Sequence, residues 1–159
     1  MTTKRAPRLV TGTGTAATTP LGAAGARVLP IDVALLWLRV SFGLTLALTH
    51  GLNKLQAPAR FLENVAQRGF PAPSLLGWAA ILSELVGGIA LALGLFTRAA
   101  GVFVASTLLI AAFKVHAADP FAKKELALAY AAIGLAFVLA GAGRYSVDAW
   151  LAHKLRRSA

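Results

Sequence analysis

Leu75–Phe96 reads LLGWAAILSELVGGIALALGLF, and within these 22 residues Glu84 is the only charged side chain. At about 1.5 Å rise per residue such a run is roughly 33 Å long as a helix, enough to cross the ~30 Å hydrocarbon core of a bilayer. A carboxylate at mid-membrane costs about 2.5 to 3.5 kcal/mol on insertion scales, so it is expected to face protein, a partner or water. This stretch therefore decides the fold class and nominates a functional residue.

Working outward, three further apolar blocks occur: Ile31–Leu52, Ala99–Ala117 and Leu126–Ala142. In lipid only helices and closed barrels satisfy their own backbone hydrogen bonds, and these blocks lack the alternation of barrel strands. The expected architecture is all-α: a membrane four-helix bundle over residues 31–150. Asn53–Ser74 is the long connection, with Pro58, Pro71 and Pro73 around an amphipathic stretch, Arg60–Phe70, expected to form a short interfacial helix. The tight turn at Thr97 and Arg98 makes the second and third spans an antiparallel hairpin. Residues 1–30, rich in Thr, Ala, Gly and Pro and free of acid, are expected to be a disordered basic tail. Residues 151–159 form a basic C-terminal tail.

The 159-residue chain is 57% hydrophobic and 14% charged, with 16 Lys and Arg against 6 Asp and Glu. Its basic residues cluster at the ends of apolar runs, which points to membrane topology and anionic lipid and away from nucleic acid. With both termini in the cytoplasm of a cell whose inner membrane holds the chain, nine basic residues fall inside and six outside, so that orientation is expected. The absence of cysteine excludes a disulfide, a thiolate metal site and a dithiol relay, and no metal site is expected.

Helical phase sorts the rare polar groups. Counting about 100° per residue from Arg39, Gly43, His50 and Lys54 fall on one stripe. Gly77, Ala80 and Gly88 share the face of Glu84, and small residues let helices approach closely, so Glu84 is expected to point inward. Tyr130, Gly134, Phe137 and Gly141 form a third stripe. Two readings of Glu84 follow. In one, an Arg39–Glu84 pair, or separate polar clamps, fixes helix order; in the other, Glu84 is a protonatable group or ligand contact in a polar cavity. His50 and His116 are expected at similar depth at the outer ends of their spans, in interfacial hydrogen-bonding or headgroup roles. Trp37, Trp78 and Trp150 read as interface anchors.

The strings LRV (Leu38–Val40), HGLNK (His50–Lys54), GFP (Gly69–Pro71), SELVGG (Ser83–Gly88), LGLFTR (Leu93–Arg98) and GAGRYSVD (Gly141–Asp148), in this order and spacing, resemble the DoxX family of bacterial membrane proteins. The resemblance runs from about Leu35 to Asp148, with Ala142 where the family often has Pro. It implies a four-helix membrane bundle linked to respiratory or sulfur-linked oxidoreductase systems, including quinol oxidase and thiosulfate:quinone oxidoreductase assemblies. It also carries over Arg39, His50, Lys54, Glu84, Arg98, Arg144 and Tyr145.

The expected function is a membrane subunit of a quinone- or sulfur-linked oxidoreductase assembly, at most part of an enzyme. Glu84 or His50 would accept or relay a proton, and Arg39, Lys54, Tyr130 and Arg144 would contact a quinone headgroup. Partners would be the bilayer, oxidoreductase subunits or a second copy. The alternative is a non-catalytic scaffold whose small-residue faces pack against another membrane protein; a small oligomeric transporter ranks third, because no inverted repeat or broken span supports it.

Overall fold

The computed structural model describes residues 28–158, all of the regular structure among them helical. Residues 1–27 of the expected basic tail lie outside the described residues. In chain order the helices are α1 (Val28–Thr45), α2 (Leu52–Gln56), α3 (Pro58–Gln67), α4 (Pro73–Leu93), α5 (Thr97–Ile110), α6 (Phe121–Ala140) and α7 (Val147–Ser158). A π-helical turn at Leu46–Gly51 joins α1 to α2, and a second, Ala111–Val115, extends α5.

Three helical stretches are long and apolar enough to cross a membrane: Pro30–Gln56, Pro73–Leu93 and Thr97–Val115. They match three of the expected blocks. The fourth block is also helical, but α6 opens with Lys123, Lys124 and Glu125, which leaves it more charged than the other three. Large side chains such as Trp37, Leu75, Phe96, Phe103, Phe113 and Leu139 stand outward and exposed, as lipid-facing positions do.

Glycine sets the helix approach. A Cβ on Gly43 of α1 would lie 2.4 Å from the Gly88 carbonyl oxygen of α4, and one on Gly88 would lie 2.8 Å from that of Gly43. Gly101 of α5 and Gly134 of α6 make the same reciprocal contact. The small-residue faces are therefore the packing faces, and paired residues run in opposite senses along α1 and α4 and along α5 and α6. Between them Phe42, Leu46, Leu91, Val104, Leu108 and Phe137 form the core. The amphipathic stretch of the first connection folds as α3, which buries none of its residues fully but seats Leu62 on Gly77 of α4.

At one end of the molecule buried charges end on backbone groups. α4 stops at Gly94, whose φ of +68° suits glycine, and the Leu95 N–H returns to the Ala90 carbonyl to close the turn. Beside it Arg39, 2% exposed, donates through Nη1 to the Ala92 carbonyl at 3.0 Å and through Nη2 to the Tyr145 carbonyl. A Cβ at position 94 would collide with that guanidinium at 2.3 Å. Asp148 accepts the Phe96 and Thr97 N–H groups at 2.7 and 2.9 Å, capping α5, while the buried Asp32 accepts the Arg144 N–H at 2.9 Å. Cation at a helix C-terminus and anion at an N-terminus is the favourable sense of the helix dipole.

Candidate functional site

Glu84 is buried to 2% exposure, eleven residues past Pro73 and nine before Leu93. At 1.5 Å per residue it stands about 16 Å and about 14 Å from the two ends of α4. The inward direction read from helical phase is the one observed. The expected partner is not. Arg39 is held by carbonyls at the far end, and Glu84 Oε1 instead accepts a charge-assisted bond from Lys54 Nζ.

The physical reason is register: Gly43 of α1 packs on Gly88 of antiparallel α4 and Gly51 on Leu85, so Arg39 lies level with Ala92 at the end of α4, and Lys54 comes level with Glu84. The π turn at Leu46–Gly51, which closes its backbone bonds one residue later than an α-helix does, shifts the phase locally where His50 sits. Arg39 and Lys54 thus both lie against α4, at different depths, and only His50 leaves the stripe. Arg39 caps α4, His50 turns to α6, where its ring meets Tyr130 edge-on at 5.8 Å, and Lys54 reaches α4. Tyr130 also meets Phe42 edge-on at 5.2 Å, so the phenol of the third stripe belongs to an aromatic seam between α1 and α6. His50 and His116 engage different partners: the His116 Nδ1–H donates to Asp119 Oδ2 at 2.8 Å. That hydrogen bond, helped by the neighbouring cations, holds the Asp119 carboxyl below its ordinary range.

The Lys54–Glu84 pair stands in the wall of a cavity of about 340 Å³ between α3, α4 and α5. Phe61, Asn64, Val65, Arg68 and Phe70 roof it from the α3 side; Leu76, Ala79 and Ala80 come from α4; Thr107, Ile110, Ala111, Val115 and His116 complete it. Arg68 Nη1 donates to the Val115 carbonyl at 2.7 Å, fastening the rim of α3 to the end of the third span. Lys54 Nζ also lies 5.0 Å from the centre of the Phe61 ring, within cation–π range. Both π turns lie at this end: one precedes Lys54 within its helix, and the other contributes Ala111 and Val115 to the wall. Such turns often mark functional sites.

The pair is asymmetric. The Lys54 side chain is 25% exposed and Glu84 2%, so the amine meets the opening and the acid lies behind it. Glu84 Oε2 is buried without a hydrogen-bond partner. A buried carboxylate oxygen without a donor is costly, and here it belongs to a residue of the cavity wall. A mostly apolar wall with a few convergent polar groups, at a volume near the low end of the ~300 to 1,000 Å³ range of ligand pockets, has the character of a small-molecule site.

Of the sequence-predicted residues, Glu84 and Lys54 meet at this cavity. Arg39, His50 and Tyr130 are taken up by other contacts, and Arg144 lines a separate cleft beside α7. Thr107, Arg68 and Asn64 were not singled out from sequence. Arg68 and Asn64 lay in the recognised amphipathic stretch, and Thr107, with Ser106, interrupts the third apolar block at its middle. Asp32 and Asp148, which fix the other end, were legible only as acids near helix starts.

A family model for DoxX matches residues 34–117, slightly more than half of the chain. No curated protein and no solved structure gives a match. The matched residues include Arg39, Lys54, Glu84 and every lining residue of the cavity, whereas α6 and the GAGRYSVD loop lie beyond them. Three apolar helices long enough to span a bilayer, together with a family match over the residues that form them, make this a multi-pass membrane protein, and the chain belongs to the DoxX family.

Proposed function

We propose that the chain is a membrane subunit of a quinone- or sulfur-linked oxidoreductase assembly and that the cavity at Lys54 and Glu84 receives a quinone headgroup. The observation that carries this reading is the buried ion pair in the cavity wall, one of whose carboxylate oxygens lacks a donor. A quinone's carbonyl oxygens need donors, and its reduced form carries hydroxyls, one of which would donate to the unpartnered Glu84 Oε2. The Lys54 ammonium at the opening donates to such a carbonyl, with Thr107 and His116 as further polar contacts. Glu84, behind it, is the group to exchange a proton with the reduced ring, and the electrons come from a partner subunit. His50 has no catalytic role in this reading because it does not line the cavity; its ring lies against Tyr130.

In this reading α6 is a fourth crossing, with Lys123, Lys124 and Glu125 at the surface and Leu135 and Leu139 toward lipid. The chain sits in the cell inner membrane with both termini cytoplasmic, α3 at the outer surface and α7 at the inner one. A fusion reporter at Ser158 that is active only outside the cell would contradict this orientation.

Titration of the purified protein with a soluble quinone headgroup analogue tests the site. Affinity is expected to fall about tenfold or more in Glu84→Gln and in Lys54→Gln and to stay unchanged in His50→Ala. Undiminished affinity in the first two variants would remove the cavity from consideration. The second reading, a non-catalytic scaffold, draws support from the far end, where Arg39, Asp148 and Asp32 bond backbone groups. It predicts a copurifying membrane partner whose activity is untouched by Glu84→Gln.

A further inference from the structure

At the opposite end from the Lys54–Glu84 cavity, a cleft of about 810 Å³ opens where α7 leaves the end of α4. Arg144, His153, Lys154 and Arg157 line it, with Trp150 and Leu93 as its apolar lip. Among the described residues, no carboxylate lines it. Asp148, on the same helix, is turned away and occupied by the Phe96 and Thr97 amides, so the cleft's charge is uncompensated.

The cleft is also held in shape. The Arg144 N–H is fixed by the buried Asp32, and the Tyr145 carbonyl by the buried Arg39. Ser146 Oγ donates to the Gly143 carbonyl at 2.7 Å and accepts the Ala149 N–H at 3.1 Å. The loop presenting Arg144 is thus tied to α1 before any ligand arrives, and preorganisation of this kind lowers the entropic cost of binding. Leu93 ends one of the spanning helices, and Trp37 and Trp150 stand exposed at 76% and 61%. An amphipathic ring of that type settles at headgroup depth.

We infer that this cleft binds the phosphate headgroup of an anionic glycerophospholipid, with Arg144, Lys154 and Arg157 around the phosphate and Trp150 against the glycerol and upper acyl chains. Basic pockets beside membrane helices recognise such headgroups, and a phosphate gathers several charge-assisted hydrogen bonds from guanidinium groups. The inference is independent of what occupies the cavity at the other end.

The test uses purified, delipidated full-length protein in a neutral detergent, titrated with phosphatidylglycerol and with phosphatidylcholine of identical chains. Bound lipid is counted by native mass spectrometry. Phosphatidylglycerol is expected to bind about a hundredfold tighter at low salt, each of Arg144→Gln, Lys154→Gln and Arg157→Gln to lower that preference about fivefold, and the triple variant to approach parity. Lys123→Gln/Lys124→Gln, two charges removed from the start of α6, is expected to keep the full preference. Equal binding of the two lipids by the wild type, or a preference that survives in a triple variant with wild-type melting, would overturn the inference. Displacement of phosphatidylglycerol by an equal concentration of inorganic phosphate would also overturn it, because the site would then be one for soluble phosphate.

Discussion

The two ends of this molecule bond their charged side chains to different kinds of partner. Around Gly94, Arg39 and Asp148 spread their bonds over backbone carbonyls and amides of α4, α5 and the loop before α7, as Asp32 does for that loop. Around Glu84, the acid is bonded by a side chain, Lys54, and its unpartnered Oε2 belongs to a cavity wall, whereas the equally unpartnered Asp32 Oδ2 and Arg39 Nε at the other end line neither cavity. Charges bonded to backbone fix where helices stop and which loop lies beside which. A pair with an unused oxygen in a cavity wall has chemistry left for a ligand. The same residue types thus serve architecture at one end and a candidate site at the other, and location among partners tells them apart.

The comparison breaks or holds most visibly at Arg39. Arg39→Ala leaves the Ala92 and Tyr145 carbonyls without their charged donor, and at about 1.5 to 3 kcal/mol for each such bond the expected loss is about 4 kcal/mol. Thermal melting in detergent should show it, while the folded fraction keeps its affinity for the quinone analogue. Lys54→Ala is expected to cost somewhat less, about 3 kcal/mol, because it leaves the Glu84 carboxylate buried and alone, and here affinity falls as well. Adding Glu84→Ala to Lys54→Ala should restore part of that stability; strict additivity would deny the pair. Gly43→Val forces α1 off the Gly88 backbone, at about 2 kcal/mol, and should loosen both ends together.

The smallest effect belongs to the rim. The Asp119 carboxyl is held below its ordinary 3.8 by the hydrogen bond from His116. Its folded value is the depressed one, so its contribution is fully present above that ordinary value and disappears as the pH falls through the lower native value. Protection factors at residues 116–119, exchange rates taken relative to the intrinsic rate at each pH, should therefore be steady near neutrality and fall only in strong acid, and Asp119→Asn should remove that fall.

Much of this was legible in the sequence. The isolation of Glu84 among apolar residues fixed its inward direction, because at mid-membrane any other direction is expensive. The glycines on its face fixed the packing side for the same reason that they appear at close helix contacts. What the sequence could not yield was the partner of Glu84. Phase arithmetic carries Arg39, His50 and Lys54 along one α-helical stripe, but depth is set by packing register, which puts Arg39 beside Ala92 and Lys54 beside Glu84 on α4, while His50 turns to α6. Nothing in LALTHG announces the π turn in which His50 leaves that stripe. The cavity was hidden for a related reason, since its wall joins residues 54, 84, 107 and 116, whose proximity exists only after the helices pack.

The most direct test of the contrast uses the cysteine-free chain as its own background. Single cysteines are placed by Thr107→Cys in the cavity wall and by Leu82→Cys, 51% exposed on the outer face of α4, and membranes are treated with a charged, water-soluble thiol reagent. The account predicts that the thiol in the cavity reacts, that the quinone analogue slows this reaction, and that the thiol on the outer face stays unmodified in lipid. A reactive Leu82→Cys beside an inert Thr107→Cys would put water where lipid is expected and packed protein where the site is expected, and would contradict the account.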